Sequence, residues 1–188
     1  MLYHVSEKNG LKLLSPHISS HKKAYVYAIE NLATGLLFGS PKDDFDLLIE
    51  TEENGRPVVY ECYPDAFRTI YRGKRCSVYV VDEAGFRRGM TSWEPELVCE
   101  TEVAVQNEIV ITDLYEKLME EESLGNLRIY RYAFHDDYRK KISEHIVDRL
   151  IRFDVDLNTC LQKDHRFSTY YKGIAESLTA IMDGHLLP

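Results

Sequence analysis

The 188-residue chain contains no apolar run near the roughly 18 residues that a membrane-spanning helix needs. Its first residues, Met1-Leu2-Tyr3-His4-Val5, have neither the basic patch nor the apolar stretch of a secretory signal. These two absences predict a cytoplasmic protein with no membrane partner. Cysteine is scarce, and Cys62, Cys76, Cys99 and Cys160 form no CxxC pair. A zinc site and a disulfide framework are therefore not expected; in a reducing compartment all four read as small buried hydrophobic side chains. Positive charge is short as well: 23 Lys and Arg stand against 31 Asp and Glu, a formal charge of −8. Lys22-Lys23 and Arg87-Arg88 are too brief to reverse that balance, so a phosphate backbone meets net repulsion. GxGxxG, GxxxxGK(S/T) and GxSxG are all missing. Their absence argues against Rossmann cofactor use, P-loop nucleotide hydrolysis and the α/β-hydrolase mechanism.

Metal ligation is weakly signalled too. His17 and His21 have the spacing of helical metal ligands, but Pro16 and the intervening serines favour a loop, and no HExxH is present. His135-Asp136 has the order of a phosphohydrolase metal pair but lacks an upstream histidine, so Asp136 or Asp137 reads as a helix N-cap. No metal is expected.

What is present is an ordinary folding composition, with 44% apolar and 29% charged residues. The length suits one core, or a core of roughly 100–130 residues with a helical extension. Residues 2–6 and 24–29 are β-branched and aromatic and read as strands, and residues 30–38 read as a short helix stopped by Gly39 and Pro41. Residues 45–51 and 57–63 flank the hairpin signal Asn54-Gly55, and 76–81, 96–99 and 109–112 are further strand candidates. From Asp113 a helix runs to Leu124, near Gly125, and one more strand follows over 127–132. Two apolar stripes at helical spacing come next: Tyr138, Ile142, Ile146, Leu150 and Phe153, then Phe167, Tyr171, Ile174, Leu178 and Ile181. The pattern predicts an α+β domain over residues 1–126 and a mainly helical extension over 127–188 packed on it.

Three segments occur in a telling order: Leu2-Tyr3-His4-Val5-Ser6, Tyr25-Val26-Tyr27-Ala28 and Glu96-Leu97-Val98-Cys99. Together they resemble the His-Tyr-Glu branch of the ADP-ribosyltransferase superfamily. There the first strand reads like Leu-Tyr-His-Gly-Ser, the second like Val-Tyr-Ala-Thr running straight into a helix, and a later strand begins with the glutamate. Phe38 falls where members often carry an aromatic that stacks on nicotinamide. The resemblance implies a split antiparallel sheet with a helical C-terminal appendage. It also implies NAD as substrate, with ADP-ribose passed to a macromolecule or small molecule, or NAD simply hydrolysed. Glu96 would stand beside the ribose and stabilise the positive charge that develops as the nicotinamide bond breaks. His4 would donate to a ribose hydroxyl, Tyr27 would stack on the nicotinamide ring, and Phe38 would close its other side. Val5 departs from the family where glycine is common, Leu97 replaces an aromatic and Cys99 a serine. The superfamily also holds inactive relatives and RNA 2′-phosphotransferases. A silent module that binds a small molecule or protein, and RNA 2′-phosphate processing, therefore stand as alternatives. Whether the acceptor is protein or nucleic acid depends on loops that sequence does not shape.

Each residue also has a plainer reading. His4 suits a half-buried core histidine bonded to a backbone carbonyl. Tyr27, one of 13 tyrosines, suits ordinary sheet packing. Glu96 sits among Glu94, Glu100, Glu102 and Glu108 and suits a solvated sheet edge, with Glu102 or Glu108 as the alternative acid.

Overall fold

The computed structural model describes residues 1–18, 23–91 and 93–171. It shows a mixed α+β fold with a curled, half-barrel antiparallel sheet. Strand β1 (Leu2–Ser6) is followed by two short strands, β2 (Leu13–Leu14) and β3 (His17–Ile18), and by β4 (Ala24–Ile29). β4 leads into helix α1 (Leu32–Leu36), after which come β5 (Leu47–Thr51), β6 (Pro57–Glu61) and helix α2 (Ala66–Tyr71). Then follow β7 (Cys76–Val81), β8 (Glu96–Cys99), β9 (Val103–Ile111) and helix α3 (Leu114–Ser123). The described chain closes with β10 (Arg128–Tyr130) and helices α4 (Asp136–Arg152), α5 (Leu157–Lys163) and α6 (His165–Thr169).

The main sheet has the order β2-β9-β7-β1-β4-β3, with β8 also paired to β4. β7 is buried along its whole length, which suits its mainly apolar sequence, and its one small polar residue, Ser77, is hydrogen-bonded to Glu108. A three-stranded sheet in the order β10-β6-β5 accompanies it. The chain divides into two compact units. The first comprises residues 1–41, 50–58 and 68–128, the second 42–49, 59–67 and 129 onward. The second unit thus takes in two segments that the sequence division at residue 126 assigns to the first.

The core of the first unit gathers Leu2, Val26, Ala28, Tyr79, Val81, Leu97 and Cys99. The core of the second is aromatic and aliphatic: Cys62, Tyr138, Ile142, Ile146, Leu150, Phe167 and Tyr171. Phe153, at the end of α4, is exposed, whereas from Tyr138 to Leu150 the apolar stripe of the helix is buried in the core of the second unit. Phe167 and Tyr171 join it, but they belong to a five-residue helix and its end, so the long helix expected from residue 167 does not begin there. Ile174, Leu178 and Ile181 lie outside the described residues, as do His21 and Lys22.

Other elements differ from the sequence expectations for identifiable reasons. α1 begins at Leu32 and not at Glu30 because Asn31 caps it by accepting from Thr34 N–H at 3.0 Å. The cap of α4 is His135, whose Nδ1 accepts from Tyr138 N–H at 3.2 Å; Asp136 and Asp137 fall in the first turn, where the helix dipole favours them. β9 runs through the polar Gln106-Asn107 because pairing with β7 outweighs local propensity. α2 has no adjacent cap in sequence: the buried Glu61 carboxylate reaches forward to accept from Phe67 N–H at 3.0 Å. All four cysteines are free, with Cys62, Cys76 and Cys99 buried. Burial pushes the Cys76 thiol up to about 11, so it stays protonated and inert. No helix among the described residues is long and apolar enough to cross a membrane.

Candidate functional site

β1 pairs with β7 at every position from Leu2 to Ser6, yet with β4 only at Tyr3↔Ile29. β4 pairs in turn with β8 from Val26 to Ile29, where Ile29 faces Glu96. Beyond the row Tyr3, Ile29, Glu96, strands β1 and β4 part company. A cleft of about 380 Å³ lies where they separate, within the size range of small-molecule sites. Residues 3–6 of β1 and 27–29 of β4 line it from the two strands, and Gly35 and Phe38 line it from α1 and the turn after it.

His4 spans the parting. Its Nδ1 lies 2.7 Å from the Tyr27 carbonyl oxygen. A carbonyl only accepts, so Nδ1 carries the proton and Nε2 of the neutral ring presents a lone pair. Burial, reinforced by the positive charge of His17, lowers the His4 pKa against the opposing pull of the Tyr27 carbonyl. The neutral ring is therefore favoured near pH 7. The plainer reading of His4 is correct in its hydrogen bond, yet the same side chain lines the cleft. One detail of the sequence expectation changes: a neutral ring with Nδ1–H engaged accepts a hydroxyl proton at Nε2 instead of donating one.

Tyr27, Phe38 and Glu96 line the same cleft as His4. The Tyr27 ring meets Tyr25 edge-on at 5.9 Å and His17 at 5.6 Å, which leaves its orientation determined from two sides. Phe38 is exposed and sits 5.2 Å from the ring of Trp93. Glu96 opens β8; its N–H donates to the Trp93 carbonyl at 3.1 Å, and its Oε2 is shielded from solvent.

The chain matches no family model, no curated protein and no solved structure at a significant level. Its site stands on its own geometry. Glu102 and Glu108, the alternative acids, have other partners: Glu102 accepts from Ser15 Oγ at 3.0 Å, and Glu108 from Gly10 N–H, Ser77 Oγ–H and the Tyr79 hydroxyl. Neither lines the cleft. Val5, which stands where the resembling family carries glycine, turns a methyl toward α1. A Cβ built on Gly35 would lie 3.3 Å from Val5 Cγ2 and 3.1 Å from Ile29 Cγ2. Glycine at position 35 thus lets α1 approach β1 and β4 closely. No group of three or more His, Cys, Asp or Glu able to hold a metal occurs among the described residues.

Among the lining residues that the sequence does not mark as part of a site are Trp93 and His17. Trp93 is the single tryptophan and lies in a loop with no periodicity to place it; its sole signal was its position three residues before Glu96. His17, whose spacing to His21 suggests only a weak metal ligand, is set by β3 beside Tyr25 and onto the cleft.

Proposed function

We propose that the cleft binds NAD and that the protein breaks its nicotinamide–ribose bond, passing ADP-ribose to an acceptor or to water. The observation that carries this reading is the meeting of His4, Tyr27, Phe38 and Glu96 in one cleft at the parting of β1 and β4. Nicotinamide leaves with the electron pair of the C–N bond, and the ribose becomes cationic. Glu96 provides a fixed negative charge beside that centre, stabilising it more than the neutral-ribosyl ground state. His4 accepts a ribose hydroxyl at Nε2, and the Tyr27 ring supplies an apolar face for the nicotinamide. The Phe38–Trp93 pair supplies the aromatic end of the cleft. The incoming oxygen then bonds to the sugar, and its proton passes to the Glu96 carboxylate or to solvent.

A second reading, a module that holds a ligand without turning it over, is favoured by the apolar floor that Val5, Ala28 and Ile29 make. RNA 2′-phosphate processing has less support, because no Lys or Arg lines the cleft among the described residues. Isothermal titration with NAD, followed by assay of released nicotinamide, separates the readings. Binding with release is expected; binding without release selects the silent module, and no binding removes NAD. Glu96→Gln is expected to retain NAD affinity within a few-fold while release falls about 10²–10³-fold, the usual size of a lost charge-stabilising group. Release at the wild-type rate from that variant would take the carboxylate out of the mechanism.

A further inference from the structure

The cleft presents a charge problem. Glu96 gives it a negative group, no Lys or Arg lines it among the described residues, and a ligand such as NAD brings a pyrophosphate. Among the described residues, two lining side chains can carry positive charge, both of them histidines. His4 is engaged through Nδ1 with the Tyr27 carbonyl, and its burial favours the neutral ring. His17 is exposed, on a strand of two residues, with its ring edge-on to Tyr27 at 5.6 Å.

We propose that His17 is the anion-contacting residue of the cleft, its imidazolium holding the pyrophosphate of a dinucleotide or of ADP-ribose. This rests on the reading of the cleft as a site for NAD or its ADP-ribose portion. Tyr27 joins the two halves of the site physically, since its ring lines the cleft and lies 5.6 Å from the imidazole at a steep interplanar angle. Among the described residues, the titratable groups that face His17 are His4 on β1 and Tyr25 and Tyr27 on β4, with Glu96 of β8 lining the same cleft. Imidazole changes charge between about pH 5 and 8, whereas a pyrophosphate diester does not, so a contact of this kind makes affinity pH-dependent through the protein alone. Nicotinamide, which lacks phosphate, serves as the internal control.

The test is titration calorimetry of the wild type, His17→Gln and His17→Lys with NAD, ADP-ribose and nicotinamide at about pH 6 and about pH 8. The wild type is expected to bind NAD and ADP-ribose about five- to tenfold more tightly at the lower pH, the scale of one charge-assisted contact at an open site. His17→Gln is expected to lose that ratio, and His17→Lys to bind at the higher pH as the wild type does at the lower. Nicotinamide is expected to show no ratio in any variant. His4→Gln is expected to weaken NAD at both pH values and keep the ratio. A ratio that persists in His17→Gln overturns the proposal while leaving NAD in the cleft. ADP-ribose binding with the expected ratio but no NAD binding keeps His17 and removes the NAD reaction. Absence of binding of both ligands to the wild type overturns both.

Discussion

At the scale of single residues, His4 does two things with one ring. Its protonated Nδ1 ties β1 to β4 across their parting, and the same commitment decides what Nε2 offers to a ligand. Because burial lowers its pKa, the folded chain resists protonation that the unfolded chain accepts near the ordinary value of 6.5. The unfolded state then binds more protons, so stability falls as pH drops from about 6.5 toward the lowered folded value. His145, whose Nε2 lies 2.8 Å from the Asp44 carbonyl oxygen and whose pKa burial also lowers, adds to the same slope. The thermal midpoint is therefore expected to decline from about pH 6.5 to 5, and His4→Gln or His145→Gln each to remove part of the decline. A midpoint unchanged over that range would show that neither ring is kept neutral by the fold. Carboxylates held low by hydrogen bonds, such as Asp164 beside Arg166, weaken the fold only at lower pH.

At the scale of elements, α1 is too short to nucleate alone and depends on its cap. The Asn31 side chain accepts from Thr34 N–H at 3.0 Å and donates from Nδ2 to the Gly55 carbonyl at 3.3 Å. Asn31→Ala is expected to cost about 1 kcal/mol in urea unfolding, and to weaken NAD binding in calorimetry because α1 carries Gly35 and leads to Phe38. Loss of stability with unchanged affinity would separate the helix from the site. Strands β1, β4, β7 and β8 were legible because short, largely apolar runs with β-branched or aromatic residues mark them, and all four appear where those runs predict. α3 was equally legible, since Asp113 caps it and Gly125 adopts a φ of 79° just beyond its end. His4, Tyr27 and Glu96 were legible as a set through their order along the chain. Trp93 was not, because its place depends on a turn to Glu96 and on a ring contact with Phe38, which no local pattern records. α2 was hidden for a similar reason, since its cap is a carboxylate five residues before its first turn.

At the scale of the whole molecule, the second unit is tied by charge as well as by its aromatic core. Arg166 donates to Asp43, Asp46 and Asp164, each at 2.6 Å, joining α6 to a segment more than a hundred residues earlier. Its guanidinium pKa is raised by Asp43 and Asp164 against the cost of burial. Arg166→Gln is expected to destabilise this unit by about 1–2 kcal/mol, less than a fully buried pair would give, because Asp43 is half exposed and solvent screens it. Faster amide exchange in α4 and α6 would report that loss; exchange unchanged in both helices would mean that the aromatic core alone holds the unit. The same unit contains residues 42–49 and 59–67, whose core neighbours Tyr138, Ile142 and Ile146 are made much later. During synthesis Phe45, Leu48, Tyr60 and Cys62 thus emerge well before α4 exists to cover them. The interval is the moment of greatest risk for sticky, half-made chains, and it places the need for a chaperone, or for slow translation, before the ribosome has reached α4.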